Sequence, residues 1–341
     1  MSSKNTLFFI FLLISLLSVY GKHENGHNLF NLKPSKLFVF GDSYADTGNI
    51  RKSMANSWKL PYGITFPGKP AGRFSDGRVL TDYLARFIGV KSPIPYRWRK
   101  YAVNRMKYGM NFAYGGTGVF NTFVAEPNMT TQIDLLQQMI NQKVYTSYDL
   151  QSSAALVSLA GNDYSTYLAR NGSAQGFEGF ITQVVNQLAE NIKQINRMGV
   201  KKLVITSLQP IGCLPETTYD SSFRQCNSTQ NQLVNFHNLL LQQALANFRN
   251  QTKDSTFLVL DLYSAFTTVL GSSKFMNPLK PCCYGISKEY SCGSLNEKGQ
   301  KMYTMCPNPQ NSFFWDTVHP TQAGWRSIYL SLQPSLRQLF N

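Results

Sequence analysis

The sequence predicts an α/β protein with a mostly parallel sheet and helices on both faces. Four short apolar runs, most of them rich in β-branched residues, indicate buried strands at 36–40, 154–160, 202–207 and 256–262. Amphipathic stretches with apolar residues at three- and four-residue steps lie between or after them. Because strand and helix alternate, the strands should be parallel and the helices should cover both sides of the sheet.

Three long helices are predicted, at 177–198, 229–248 and 321 to about 340. The segment 50–108 is rich in Pro, Gly and aromatic residues and shows little periodicity, which predicts long loops with one short helix near 80–88. We expect these loops to lie over the carboxyl ends of the strands and to shape a cleft. Aromatic side chains between residues 50 and 123 are candidates for its walls, for instance Trp58, Tyr62, Phe66, Phe74 and Phe112.

The length and the N-terminal segment predict one secreted domain. With 341 residues, of which 43% are hydrophobic, the chain can bury one large core, and we expect a single domain over 22–341. Residues 1–21 predict a signal peptide, because Lys4 precedes an apolar stretch that ends in Tyr20-Gly21, where a signal peptidase could cut. No later segment is apolar enough to span a membrane, so an extracellular location is expected.

The cysteines agree with an oxidising compartment. An even set lies in the second half of the chain and predicts three disulfides among Cys213, Cys226, Cys282, Cys283, Cys292 and Cys306. A local bridge between Cys213 and Cys226 is the most economical, and the pairing of the other four stays open. A zinc site is the rival interpretation, but the spacing is not Cys-x2-Cys and no histidine lies among these cysteines.

Surface features also suit a secreted protein. Four sequons predict glycosylation at Asn128, Asn171, Asn227 and Asn250. The formal net charge is +15, and part of the excess lies in the basic, aromatic segment 96–108. Such a segment can weakly bind an acidic polysaccharide or a membrane surface, whereas nucleic acid is not expected outside the cell. A solvated loop face is the simpler interpretation.

A serine follows the first predicted strand. In Gly41-Asp42-Ser43 the chain turns at the strand end, where an α/β enzyme holds its nucleophile. A helix starting just after Ser43 would point its free N–H groups toward a developing oxyanion. Taken alone, this tripeptide after a strand is usually only a turn.

An acid and a histidine lie near the other end of the chain. Asp316 precedes His319 by three residues, so it can accept from one ring nitrogen while the other faces Ser43. His23 and His27 fall just past the leader, and His237 lies mid-helix without a carboxylate at helical spacing, which favours a surface or helix-packing role. Serine, histidine and aspartate together indicate a serine hydrolase.

Two glycine-containing segments can supply oxyanion donors. They are 109–118 and Gly161-Asn162-Asp163, the second directly after a predicted strand. Glycine lets a backbone N–H come close to a carbonyl, and an Asn amide is a neutral donor. Each segment alone is weak evidence, since such sequences are common in turns. The chain lacks a phosphate-binding loop and a dinucleotide fingerprint.

In this order, the motifs resemble those of plant-type GDSL esterase/lipases of the SGNH hydrolase superfamily. The matching blocks are Phe40-Gly41-Asp42-Ser43, 111–116, 161–163 and 316–321. The resemblance implies a flavodoxin-like three-layer sandwich with a five-stranded parallel sheet and Ser43 as nucleophile. It also implies an oxyanion hole of the Ser43 N–H, a glycine N–H and the Asn162 side chain. We place that glycine at Gly116, with Gly115 as the alternative.

Two positions depart from the family pattern. Tyr44 stands where the family name has leucine, which changes packing beside the nucleophile without removing a catalytic group. Tyr284 follows the paired cysteines where the plant branch usually has glycine, which concerns local loop geometry only.

The expected activity is hydrolysis of carboxylic esters by Ser43, His319 and Asp316 without metal or organic cofactor. Lipid, small-molecule, acetylated glycan and phenolic glycan esters all remain open as substrates. One alternative is an acyltransferase that passes the acyl group to a sugar or phenolic acceptor. Another is a non-catalytic carbohydrate-binding or defence protein of the same fold.

Overall fold

A computed structural model describes residues 33–159, 161–252 and 254–339. The predicted signal peptide, together with His23 and His27, lies outside the described residues.

The centre of the fold is a six-stranded sheet whose pairings are all parallel, in the order β2-β3-β1-β4-β5-β6. Its strands are β1 (Lys36–Gly41), β2 (Ile94–Pro95), β3 (Gly109–Asn111), β4 (Ser153–Ser158), β5 (Lys202–Thr206) and β6 (Thr256–Leu260). The four predicted strands are confirmed as β1, β4, β5 and β6. The expected count of five is wrong, because the two-residue β2 adds a strand at the edge.

Helices follow most strands of the sheet. They are α1 (Leu80–Ile88), α2 (Met129–Asn141), α3 (Ser147–Gln151), α4 (Gly161–Ala169), α5 (Ala174–Arg197), α6 (Pro215–Thr218), α7 (Ser228–Gln251), α8 (Leu262–Leu270) and α9 (Gln322–Arg337). The predicted helices near 80–88, 177–198, 229–248 and 321–340 correspond to α1, α5, α7 and α9. The others were not predicted, and α4 begins at Gly161-Asn162-Asp163, the segment proposed to supply an oxyanion donor.

Two apolar layers cover the sheet, one on each face. Phe38 and Phe40 of β1 pack into a core with α2, α5 and α7, whereas Leu37 and Val39 pack into a second core with α1, α8 and α9. All four side chains have no exposed surface. Alternate residues of one strand therefore pack into opposite cores, which gives the three-layer, flavodoxin-like sandwich that the resemblance implies.

A small antiparallel sheet lies outside the central one. Its strands are β7 (Cys283–Gly285) and β8 (Tyr303–Met305), and they pair in register. Among the helices of the described residues, none is long and apolar enough to cross a membrane.

Candidate active site

The carboxyl end of β1 holds Ser43 at the edge of the sheet. A Cβ atom on Gly41 would lie 2.2 Å from the carbonyl oxygen of Ser158 in β4, and the Asp42 N–H donates to that oxygen at 3.1 Å. The buried Gln132 side chain of α2 accepts from the Gly41 N–H at 2.8 Å and donates to its carbonyl at 3.0 Å. These contacts fix the backbone just before Ser43.

The chain after Ser43 forms a turn, so the helix predicted there is wrong. The Asp46 carboxylate accepts hydrogen bonds of 2.7, 2.7 and 3.0 Å from three backbone N–H groups, those of Gly48, Asn49 and Ile50. Because the side chain takes these donors, they are not available to helix carbonyls. Burial raises the pKa of Asp46 to about 6, although these hydrogen bonds oppose the shift.

Ser43, His319 and Asp316 meet as the sequence predicts. His319 Nε2 lies 2.7 Å from Ser43 Oγ, and His319 Nδ1 lies 2.8 and 2.9 Å from the two carboxylate oxygens of Asp316. All three side chains are largely buried, with 7–8% of the residue surface exposed. The arrangement has the contacts of a serine–histidine–aspartate triad.

The loop that carries Asp316 and His319 is closed on itself. Asp316 Oδ1 accepts from the N–H groups of Val318 and His319 at 2.9 and 2.8 Å, and the Trp315 N–H donates to the His319 carbonyl at 2.7 Å. Thr321 then caps α9 through its side chain. The same short loop therefore brings Asp316 and His319 together and begins α9.

The electrostatics keep Asp316 ionised. Burial alone would raise its pKa, but the charge of His319 and the hydrogen bonds to the carboxylate outweigh burial, so the net pKa of Asp316 is lowered. A further donor is the Tyr62 hydroxyl, which lies 2.8 Å from Asp316 Oδ2. Burial, with Asp316 nearby, raises the pKa of Tyr62 well above its usual value. Tyr62 is therefore a neutral donor that the sequence did not reveal.

Disulfides hold the segment before Asp316. Cys282 is bonded to Cys306 and Cys283 to Cys292, and the backbone N–H groups of Cys282 and Cys283 donate to the carbonyls of Phe314 and Trp315 at 3.0 and 2.7 Å. The third bridge joins Cys213 and Cys226, the pairing expected from their spacing. All six cysteines are thus in disulfides, which removes the zinc interpretation.

Aromatic rings surround the imidazole. The Phe74 and Tyr44 ring centroids lie 4.9 and 5.7 Å from that of His319. The Tyr44 hydroxyl donates to the Val318 carbonyl at 2.9 Å, and its ring packs edge-on against Trp325. Tyr44 therefore packs beside Ser43 and His319, as expected for this departure from the family pattern, and its hydroxyl also holds the loop of residues 316–319.

Gly115 and Gly116, in the glycine loop of residues 109–118, differ in whether their N–H group has a hydrogen-bond partner. The Gly115 N–H donates to Asp46 Oδ2 at 3.0 Å, so it is already used. Within the described residues the Gly116 N–H has no such partner, and its φ of +76° lies in the left-handed region that favours glycine. Of the two candidates, Gly116 is the one with a donor to offer, although it does not line the large cleft that Ser43 lines.

Asn162 lies in the first turn of α4. Its side-chain nitrogen donates to the Thr117 carbonyl at 2.9 Å, which leaves its second proton for another acceptor. The next residue, Asp163, accepts from the N–H groups of Val119 and Phe120 at 2.9 and 2.8 Å. Burial raises the pKa of Asp163 to about 6 despite these hydrogen bonds. The pair thus ties the glycine loop to the start of α4.

A cleft of about 600 Å³ opens at Ser43, and Asn162 also lines it. Its walls follow β4 and β5 and include Tyr164, Leu208, Ile211 and Leu214. The expectation that aromatic loop residues between 50 and 123 form these walls is wrong. Trp58, Tyr62, Phe66, Phe74 and Phe112 are not in this lining; Phe112 is fully buried and stacks on Phe40 instead.

His237 has a packing role, as its position predicts. It is 1% exposed, and its Nδ1 lies 2.6 Å from the Tyr164 hydroxyl. Burial lowers the pKa of His237 to about 4. A neutral imidazole held between α7 and α4 fits this environment.

The sequons differ in their surroundings. The side chains of Asn128 and Asn227 cap α2 and α7, and Asn227 also lines the cleft. Asn171 and Asn250 are exposed, and within the described residues their side chains form no hydrogen bond.

The basic segment 96–108 folds into two short 3₁₀ turns and is mostly accessible. The Arg99 guanidinium stacks 3.8 Å from the centre of the Tyr96 ring. A groove beside the segment is lined by cationic side chains, namely Arg73, Arg78, Arg86, Lys91 and Arg105, and by one carboxylate, Asp82. Arg73 and Asp82 form a buried pair at 2.8 Å. The described residues contain no cluster of side chains suited to bind a metal ion.

Known proteins resemble this chain along most of its length. The sequence model of the family described as GDSL-like Lipase/Acylhydrolase matches residues 37–330. Two GDSL esterase/lipases of Arabidopsis thaliana are 58% and 54% identical; the alignments cover 96% and 95% of this chain and 95% and 93% of those proteins. Acetylajmalan esterase 2 of Rauvolfia serpentina is 30% identical, with 88% of this chain and 90% of that protein covered.

Proposed function

Because the chain belongs to the GDSL-like lipase/acylhydrolase family of ester-hydrolysing enzymes, we propose that it is a secreted serine esterase that works through an acyl-serine intermediate. The observation that carries the mechanism is the 2.7 Å contact between His319 Nε2 and Ser43 Oγ, backed by Asp316 on the other ring nitrogen. That order of contacts is what proton removal from a serine hydroxyl requires.

In the first step, Ser43 Oγ attacks the ester carbonyl carbon while His319 Nε2 takes the hydroxyl proton. Asp316 holds the imidazole in the correct tautomer and stabilises the imidazolium that forms. The imidazolium then gives the proton to the leaving alcohol as the carbon–oxygen bond breaks. The product of this step is an ester between the acyl group and Ser43.

The negative oxygen of the tetrahedral intermediate needs donors. We assign them to the N–H groups of Ser43 and Gly116 and to the free amide proton of Asn162. Support comes from the hydrogen bond that occupies Gly115 and from the contact that orients Asn162 toward the glycine loop. Such preorganised donors usually contribute a large share of catalysis.

In the second step, water repeats the cycle. His319 takes a proton from a water molecule, the hydroxide oxygen bonds to the acyl carbon, and Ser43 Oγ leaves with the proton that the imidazolium returns. The products are a carboxylic acid and the regenerated enzyme. The proposed substrates are small-molecule, lipid or glycan esters small enough in their reacting part for a cleft of about 600 Å³.

Secretion and processing are part of the same proposal. We infer that residues 1–21 are removed as a signal peptide and that 22–341 form one hydrolase domain outside the cell. Three disulfides support an oxidising compartment. Asn171 and Asn250 are the sequons we propose to carry glycans, because both are exposed.

The basic segment suggests a weak association with acidic cell-wall polysaccharide. Its support is the groove in which five cationic side chains face one carboxylate that is already paired with Arg73. Retention on a polygalacturonate column that is lost at high salt would be expected.

The test of the esterase is hydrolysis of p-nitrophenyl esters from acetate to palmitate by the secreted, glycosylated protein. A Ser43→Ala variant that melts at the same temperature is the control. Turnover that disappears in the control supports the proposal, and the preferred chain length separates a short-chain esterase from a lipase. Equal turnover by both proteins would contradict the assignment of Ser43.

A further inference from the structure

The charge of the catalytic cleft is opposite to the charge of the chain. The formal net charge is +15, yet the cleft lining contains three carboxylates, those of Asp42, Glu216 and Asp220, and no Lys or Arg side chain among the described residues. A bound substrate responds to the charges close to it more than to the distant surface. The cleft should therefore bind anionic substrates less well than neutral or cationic ones.

The three carboxylates differ in whether another group of the described residues already binds them. Asp42 accepts a hydrogen bond from the Tyr44 N–H at 3.0 Å and is 7% exposed. Asp220 lies 2.7 Å from the ammonium group of Lys288. Glu216 is exposed and forms no ion pair within the described residues, so its charge is available to a ligand.

Glu216 borders the side of the cleft where the leaving group must lie. Its N–H donates to the carbonyl of Thr317 at 2.9 Å, and Thr317 lies between Asp316 and His319 in the chain. Because His319 Nε2 must hand its proton to the leaving alcohol, that alcohol lies on the histidine side of Ser43. Residue 216 therefore borders the part of the cleft that the alcohol portion of a bound ester would occupy.

The electrostatic surroundings of Glu216 agree with this position. Residue 216 as a whole is exposed, but the cleft walls partly shield its carboxylate from water, which raises the pKa of Glu216; the charge of His319 lowers this pKa and that of Asp316 raises it. The charge of this carboxylate therefore interacts with those of His319 and Asp316.

We propose that Glu216 selects esters whose alcohol carries a positively charged amine or quaternary ammonium group. This inference rests on the proposed esterase function. A carboxylate a few ångströms from such a cation, in a cleft partly open to water, favours it over a neutral group of equal shape by on the order of tenfold.

Acetylcholine and 3,3-dimethylbutyl acetate test the proposal, since they have the same shape and differ by the positive charge. The ratio of their kcat/KM values is measured for the parent, Glu216→Gln and the matched control Glu297→Gln, which removes the same charge from an exposed loop. We expect a ratio of about ten in the parent and the control. In Glu216→Gln it should fall toward one, and high salt should reduce it in the parent.

Either of two kinetic results would overturn the proposal. One is a parent ratio near one; the other is a Glu216→Gln variant that loses rate on both esters equally, which would mean that the carboxylate acts through His319 alone. If neither acetate is turned over, ligand-observed NMR of choline and 3,3-dimethylbutanol reads the same preference without turnover, and equal binding overturns it. Absence of hydrolysis of every p-nitrophenyl ester would instead contradict the esterase, independently of the choline result.

Discussion

His319 Nε2 lies 2.7 Å from Ser43 Oγ although 276 positions separate the two residues. Ser43 follows the strand β1 in the middle of the sheet, and His319 precedes α9, which packs on one face of that sheet. The contact therefore forms only when the first strand and the last helix have both docked. Ester hydrolysis should report the folded state of the whole described domain.

Asn162→Ala is expected to lower kcat by about 10²- to 10³-fold with little change in KM, because one oxyanion donor is lost. The measurement is steady-state kinetics on p-nitrophenyl acetate, with the melting temperature recorded for each protein. Asn186→Ala, at an exposed position of α5, is the control. Parental turnover by Asn162→Ala would show that the oxyanion assignment is wrong.

Tyr62→Phe removes the hydroxyl that donates to Asp316 Oδ2 at 2.8 Å. Hydrogen bonds to charged groups contribute about 1.5–3 kcal/mol, so we expect kcat to fall by about tenfold while KM stays constant. Tyr303→Phe is a matched control, since Tyr303 packs against the same cysteine-rich cluster and its hydroxyl has no bond within the described residues. Equal effects of the two changes would mean that Tyr62 only fills space.

Gly41→Ala is expected to destabilise the fold and reduce activity. The added Cβ would lie 2.2 Å from the Ser158 carbonyl oxygen, and backbone cannot move aside as a flexible side chain can. A loss of about 1–3 kcal/mol in the free energy of unfolding is expected from denaturant titration. Gly179 lies in α5, and a Cβ added there would meet no atom within 4 Å apart from its neighbours along the helix. Gly179→Ala should therefore stabilise the fold by about 0.5–1 kcal/mol. A neutral Gly41→Ala would contradict the close approach of β1 and β4.

Asp163 predicts a pH dependence of stability with a definite sign. Burial raises its folded pKa to about 6 from 3.8, so the folded state binds its proton more tightly than the unfolded state does. Its ionisation therefore costs stability progressively as the pH rises from about 4 to about 6. The Asp163→Asn variant has no carboxylate to ionise at this position. Its free energy of unfolding relative to the parent should therefore rise by about 2–3 kcal/mol between pH 4 and pH 7. If the difference in the free energy of unfolding between variant and parent did not change with pH, the raised pKa of Asp163 would be contradicted.

The long elements could be predicted because they contain enough residues to show a period. β1, β4, β5 and β6 are apolar runs, and α5 buries residues at helical spacing. The strands β2 and β3 have two and three residues, too few for any pattern. The comparisons confirm the family resemblance, which rested on four short motifs in order.

Within the site, the sequence predicted the parts whose partners are close in the chain. Asp316 and His319 are three residues apart, so their contact is local. The hydrogen bonds of Tyr62 to Asp316 and of Gln132 to Gly41 span 254 and 91 positions in the sequence. A local sequence pattern cannot predict contacts between residues so far apart. The cleft walls were misassigned because the sheet order brings residues after β5, such as Leu208, to Ser43. Of the aromatic loop residues, Tyr62 and Phe74 contact Asp316 and His319 instead of lining the cleft.

The two disulfides of Cys282 and Cys283 have a consequence for where this enzyme can be made. The backbone N–H groups of these cysteines donate hydrogen bonds to the carbonyls of Phe314 and Trp315, the two residues immediately before Asp316. A chain synthesised in a reducing cytosol would lack the crosslinks behind that acid, and we expect it to be a poor catalyst even with every active-site residue intact. For the secreted enzyme proposed above, oxidative folding would act as a maturation step that withholds ester hydrolysis until the chain has left the compartment of its synthesis.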